Sequence, residues 1–166
     1  MTGYRLMRSL GEEGGAVIAS YESQTSMDRR DATAPGVGDA PDVRVRVYGP
    51  AEREGLLYIH GGGFIMGSVD RFDATAMRIA AEVGAVVVSV EHRLAPENPL
   101  RAGLEDCYAA LVWTAKSAGE LGIDPQRIGV AGERGACRCG DAHGTGWWWT
   151  RVVLPVSGGS RARRSS

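Results

Sequence analysis

Lysine is almost missing from this chain. Of 19 basic residues in 166, 18 are Arg and one is Lys116, a bias that indicates GC-rich codons. Cysteine is scarce as well: there are three, and Cys137 and Cys139 stand two positions apart, which excludes a disulfide framework. Long apolar runs are lacking. The longest, AVVVSV at 85–90, is too short to cross a bilayer. The N-terminus, MTGYRLMRSLGEEGG, has no apolar h-region and does not read as a signal peptide. A formal net charge of −1 gives the whole molecule no electrostatic attraction to nucleic acid or to a membrane. The expectation is a soluble, cytoplasmic protein with one domain-sized core.

The charge that is present is unevenly placed. Residues 1–133 carry 13 basic and 19 acidic side chains, a balance of −6, whereas residues 134–166 carry six Arg against Asp141, a balance of +5. Three of the four Trp and two of the three Cys also fall in that last stretch. So sharp a change of composition marks a boundary. The chain therefore divides into an N-terminal segment and linker (1–42), a core (43–133) and a tail (134–166).

Within 1–42, short helices are expected near 1–10 and 16–24, and the Pro/Gly/Asp-rich DATAPGVGDAPD at 31–42 reads as loop. VRVRVY at 43–48 alternates apolar residues with Arg, the pattern of a half-exposed strand. LLYIH (56–60), AVVVSV (85–90) and RIGVAG (127–132) are continuous apolar strands of the kind buried on both faces. DATAMRIAAEVG (73–84) has helical spacing and ends in Gly. Residues 103–122 form a second helix with Leu104, Cys107, Leu111, Val112 and Ala115 on one stripe. Strands alternating with helices predict an α/β fold with a mostly parallel sheet and flanking helices. Beyond Gly132 the periodicity fails, and an irregular tail is expected.

Three stretches carry candidate chemistry. HGGGF (60–64) directly follows a strand. Gly61, Gly62 and Gly63 leave the backbone free to turn sharply and to aim N–H groups into a cleft, where such donors can hold an oxyanion. His60 suits the role of fixing that loop by hydrogen bonding. HRLAPENP (92–99) cannot be helical, with two Pro and an Asn; an ion pair between Arg93 and Glu97 is expected to pin it. LGIDPQRIGVAGE (121–133) leads to the place where a nucleophile elbow of the form G-x-S-x-G would sit. There the residues are Gly132, Glu133, Arg134, Gly135 and Ala136, so Arg134 stands where Ser belongs. A guanidinium has no nucleophile and stays protonated.

Together HGGGF, HRLAPE, LEDCYAAL and RIGVAGE resemble the hormone-sensitive lipase family of α/β-hydrolases over about residues 42–133. The resemblance implies an incomplete α/β-hydrolase fold and a serine carboxylesterase acting on small acyl esters, without metal or cofactor. It also implies an oxyanion hole from Gly62 and Gly63, with Gly61 making the turn, and a helical N-terminal cap over the pocket, of which residues 1–40 are the expected remnant. The family's triad runs Ser…Asp…His, with the last two far downstream of the elbow. After residue 134 the only candidates are Asp141 and His143, two apart and close to the elbow, which does not match that layout.

The remaining residues of the tail offer weaker chemistry. Cys137 is a nucleophile by type but lies three positions past the elbow with no base beside it. Cys137, Cys139, Asp141 and His143 alternate with the spacing of soft-metal ligands on one strand face, yet come from a single glycine-rich run, so no metal is expected. SRARRSS reads as a solvated terminus, and WWW at 147–149 has no platform around it. In family terms the chain is an ester hydrolase. In chemical terms it lacks the triad and is expected to be inactive, with a reading-frame break near 134 as the favoured origin of the tail. A non-catalytic binding module is the alternative.

Overall fold

A computed structural model describes residues 27–49, 53–133 and 147–152. The helices expected near 1–10 and 16–24 lie outside the described residues. Six strands form one sheet: β1 (Arg29–Ala34), β2 (Val43–Tyr48), β3 (Arg53–Ile59), β4 (Val86–Val90), β5 (Ile123–Glu133) and β6 (Trp147–Val152), in the order β1-β2-β4-β3-β5-β6. The centre, β4-β3-β5, is parallel, and β1, β2 and β6 join antiparallel. The expected α/β architecture is present, with the parallel part confined to the middle of a mixed sheet. Helices α1 (Asp73–Val83), α2 (Leu100–Lys116) and the single turn α3 (Ala118–Leu121) connect the parallel strands.

The two-residue period of the strands sorts the core into two layers. On β4, Val86, Val88 and Val90 meet Cys107, Ala109 and Ala110 of α2 together with Val45, Leu57 and Val130. Val87 faces the opposite way, toward Tyr48, Tyr58 and Ala76, Ile79 and Ala80 of α1. Burial on both faces is why 85–90 reads as an unbroken apolar run. Helix α1 stops where its Gly was read as a stop: Gly84 adopts φ 67° and returns its N–H to the carbonyl of Ala80.

Four expectations need correction. Residues 29–34 form an antiparallel strand against β2, so the loop read over 31–42 begins only at Pro35. Only Ala34 of this edge strand is buried, and no apolar alternation exists to reveal it. The second helix starts at Leu100, and the expected stripe holds only in part: Cys107 is buried and Leu111 and Ala115 pack against the core, but Leu104 is 64 % exposed and the small residues Ala102, Gly103, Ala109 and Ala110 are buried. Close approach is the reason. A Cβ on Gly103 would lie 2.8 Å from the carbonyl oxygen of Arg93 and 3.1 Å from the Phe64 ring. The last core strand begins at Ile123, four residues before the expected start. Finally, the tail is not irregular throughout: Trp147–Val152 pairs along β5, with Ala131 opposite Trp149. The rest of the tail lies outside the described residues.

Candidate active site

Parallel strands place their C-terminal ends together, and here three of them deliver the singled-out residues to one end of the sheet. β3 ends at Ile59 and passes into His60 and the glycines; β4 ends at Val90 and passes into Glu91 and His92; β5 ends at Glu133. Ile59 pairs with Gly132, so Glu133 arrives directly beside the glycine loop. A Cβ on Gly61 would lie 2.6 Å from Oε2 of Glu133 and 3.1 Å from its Cβ, so any larger residue there would have to displace the Glu133 side chain. Tyr58 donates its hydroxyl to Oε1 of Glu133 at 2.8 Å and holds the carboxylate in place. Burial, then the charge of Glu133, pushes the phenol of Tyr58 far above its ordinary range.

The loop itself is a tight left-handed turn. Gly62 has φ 124°, Gly63 63° and Phe64 61°. The carbonyl of Gly62 accepts from the N–H groups of Ile65 (3.1 Å) and Met66 (3.2 Å). At Gly62 a side chain would strike the Met66 carbonyl at 2.1 Å. Phe64, a non-glycine residue at positive φ, is a strained position; its ring lies 4.9 Å from that of His92, and its carbonyl accepts from the N–H of Ala95 at 2.7 Å. HGGGF and HRLAPENP, read separately in the sequence, are therefore one bonded unit.

His60 is buried at 1 % exposure, and its Nδ1 lies 2.9 Å from the carbonyl of Gly61. Burial, reinforced by neighbouring His92, lowers its pKa to about 4, so it is neutral at ordinary pH. The ion pair expected between Arg93 and Glu97 is corrected by the structure: Arg93 pairs with Asp106 of α2, and Asn98 ties the loop together through the carbonyl of Leu94. Asp106 raises the guanidinium pKa of Arg93 further.

Three positioning residues were not anticipated: Asp106, Glu91, whose carboxylate accepts from the N–H of Val69 at 2.8 Å, and Glu133. A buried acid in the middle of an apolar helical face was the one signal that pointed to Asp106. Arg134, Cys137, Cys139, Asp141 and His143 lie outside the described residues. Among the described residues no group of three metal-ligating side chains occurs.

Residues 56–134 match the family described as the alpha/beta hydrolase fold. Carboxylesterase NlhH of Mycobacterium tuberculosis is 47 % identical over 102 residues, which are 59 % of this chain and 32 % of that protein. Ethyl acetate hydrolase of Pseudomonas putida is 28 % identical over 158 residues, covering 80 % of this chain and 50 % of that one. Among solved structures, the Pyrobaculum calidifontis esterase superposes with a TM-score of 0.72 at 38 % identity, covering 81 % of this chain and 44 % of the other. Over this shared portion the chain belongs to the hormone-sensitive lipase-like α/β-hydrolases. It spans 32 % of the first curated relatives and 44 % of the first structural one.

Proposed function

We propose that this chain carries the oxyanion-binding portion of a carboxylic ester hydrolase site and, as written, does not turn esters over. The N–H groups of Gly62 and Gly63 are the donors for the acyl oxygen, Gly61 makes the turn that aims them, and His60, Arg93 and Glu97 belong to the loops that support it. The observation that carries this reading is the meeting of three strand ends: the glycine turn, the HRLAPENP loop bonded to it through Phe64, and Glu133 against Gly61. In the family the nucleophile is the residue that follows this strand, as in the G-x-S-x-G elbow. In the sequence that motif position is Arg134, which supports binding without hydrolysis. Loss of the nucleophile from a triad enzyme costs about 10⁶ in kcat. Small acyl esters are the ligand class, no metal or cofactor is required, and the setting is cytoplasmic. No described helix is long and apolar enough to cross a membrane.

The test uses the full chain with p-nitrophenyl acetate and butyrate. The expected result is release of p-nitrophenol at the buffer rate, with no label from a serine-reactive phosphonate. Addition of ethyl butyrate is expected to shift the Gly62 and Gly63 amide resonances. Turnover abolished by the phosphonate overturns the inactive reading, and amides indifferent to the ester overturn the binding one.

A further inference from the structure

The glycine loop rests on a chain of four rings. Two are imidazoles at the ends of neighbouring parallel strands, His60 after β3 and His92 after β4, stacked with centroids 4.3 Å apart and planes at 17°. The other two are phenyls of the loop itself: Phe72 stacks on His60 at 5.4 Å and Phe64 tilts against His92 at 4.9 Å. The loop also closes over His60 from above, since a Cβ on Gly67 would lie 2.4 Å from Nδ1 of His60 and 2.7 Å from the carbonyl of Gly61. His92 is 3 % exposed.

Each imidazole has its Nδ1 beside a backbone carbonyl, Gly61 at 2.9 Å for His60 and Arg93 at 3.2 Å for His92. A carbonyl can only accept, so in both rings Nδ1 carries the hydrogen. That leaves each Nε2 bare, and both Nε2 atoms are buried without a hydrogen-bond partner. The arrangement accommodates neutral rings. A proton added at Nε2 of His60 would create a buried N–H with no acceptor, and a proton on either ring would place a cation 4.3 Å from a second imidazole.

We infer that the stacked His60–His92 pair is a positioning element that holds the glycine loop only while both rings are neutral, so that the loop opens with proton uptake in mild acid. This rests on the reading of Gly62 and Gly63 as the oxyanion donors. The charged groups facing the pair come from each neighbouring element. Glu91, at the end of β4, is occupied by the N–H of Val69 and lies 3.8 Å from Arg44. Asp106, on α2, is neutralised by Arg93. Glu133, on β5, is held by Tyr58. Burial lowers the pKa of His92 and outweighs the backbone carbonyl of Arg93, the charges of Glu91 and Asp106 and the backbone of His60, all of which favour its charged form; that of His60 falls to about 4. A lowered value in the closed loop means that closure is fully favoured above the ordinary histidine value of about 6.5 and is lost as pH falls from there toward the closed-state values. Each imidazole charged only in the open loop contributes about tenfold per pH unit to the opening equilibrium, and two contribute about a hundredfold.

The experiment is an NMR titration of the full chain from pH 7.5 to 4.5. A His143→Gln background removes the third imidazole. The readouts are ¹⁵N shifts of the imidazole nitrogens and exchange protection factors of the Ile65, Met66 and Ala95 amides, which donate to the carbonyls of Gly62 and Phe64 in the closed loop, with Val87 and Val88 as references. The expected result is the Nδ1–H tautomer in both rings, and loop protection that falls by more than about tenfold per unit below pH 6 while the references hold. In His92→Phe, which keeps a ring in the stack but cannot take a proton, the slope drops to about tenfold. An unchanged slope in that variant overturns the inference. So does titration of both rings near 6.5 in the unsubstituted chain with the loop amides still protected, a result that decides the matter even if the variant does not fold. The measurement uses no ester, so turnover of p-nitrophenyl butyrate would overturn the inactive reading and leave the slope standing.

Discussion

Arg93 and Asp106 are joined four times over. The backbone N–H of Arg93 donates to Oδ2 of Asp106 at 2.7 Å, Nε reaches both carboxylate oxygens at 3.0 and 2.9 Å, and Nη2 donates to Oδ1 at 2.8 Å. The carboxylate is 2 % exposed, so this one side chain fastens the HRLAPENP loop, and through Phe64 the glycine turn, onto α2. Asp106→Asn keeps the shape but turns an amide NH₂ toward donors and strips the guanidinium of its charge partner. The expected loss is about 3 kcal/mol, read as a lowered urea midpoint at unchanged slope. Asp106→Glu, which retains charge but overfills the space against the sheet, is expected to recover less than half of that.

The two central glycines respond differently to a methyl group. Gly63 has φ 63° and open space where a Cβ would go, so Gly63→Ala carries only the left-handed backbone cost of about 1 kcal/mol. Gly62 has φ 124° and a carbonyl 2.1 Å from the added carbon; Gly62→Ala is expected to cost about 3 kcal/mol and to abolish amide protection at Ile65 and Met66. Hydrogen exchange on the two variants separates the cases, and equal effects would mean that the turn is not built as described.

What the sequence disclosed follows burial. β4 and α1 were legible because their side chains are apolar on the faces that the fold covers: Val86–Val90 on both, and Ala76, Ile79 and Ala80 on one. β1 was hidden because an edge strand with one buried residue has no apolar period. The buried face of α2 was legible at Cys107, Leu111 and Ala115 and misread at Leu104, because close packing selects Ala and Gly, which carry little hydrophobic signal. The site was half legible. Motif spacing located the glycine turn and the second loop, both local features of the chain. The partners that fix them, Asp106 for Arg93 and Glu133 for Gly61, stand 13 and 72 positions away and are set by helix and strand placement, which residue pattern alone does not give.

On the α1 side of β2, Arg46 and Arg44 share acids unequally. Arg46 is 12 % exposed and contacts Asp31, Asp70 and Asp73; Arg44, more than a third exposed, contacts Asp31, Asp70 and Glu91. Solvent screens the outer pairs. Arg46→Met is therefore expected to cost about 2 kcal/mol and Arg44→Met under about 1 kcal/mol. Side-chain hydrogen bonds to Arg46 and Arg44 respectively hold Asp31 and Asp70 below the ordinary carboxylate value. Their contribution is present above about pH 3.9 and is lost as pH falls through the lowered values. Acid unfolding followed by circular dichroism should show its midpoint moving up in Arg46→Met, and 1 M salt should narrow the gap between the variants.

Strand β6 changes the expected behaviour of β5. Without it, an apolar strand would present an unpaired edge and serve as an aggregation template. With it, that edge is taken from Ile128–Val152 through Glu133–Trp147. In an antiparallel pair, successive N–H groups point alternately toward and away from the neighbour. Of Trp148→Pro and Trp149→Pro, one therefore removes a bond to β5 and the other does not. One variant is expected to aggregate on size exclusion at concentrations where the other stays monodisperse; identical profiles would mean that β6 does not cover the edge in solution.

The DNA around codons 133–136 is expected to contain a frame break. Trp has the single codon TGG, so Trp147–Trp149 are encoded by TGGTGGTGG, which reads GGT GGT, Gly-Gly, when shifted one base and GTG GTG, Val-Val, when shifted the other way. A chain with 18 Arg and one Lys implies GC-rich codons, and such DNA read out of frame yields Arg, Gly, Ala, Ser and Trp, the composition of 134–166. The elbow sharpens the test. If Arg134-Gly135-Ala136 is encoded by CGC GGG GC, two bases AG before it restore AGC GCG GGG, Ser-Ala-Gly, directly after Glu133, at the point where β5 delivers the chain to the glycine turn. A frame shift scrambles binary pattern while leaving base composition intact, which accounts for periodicity that holds up to Glu133 and fails beyond it. Sequencing the locus decides the question. Recovery of Ser-Ala-Gly followed by a downstream Asp and His in an alternative frame supports the break, and early stops in both alternative frames would show that the tail is a genuine part of the gene.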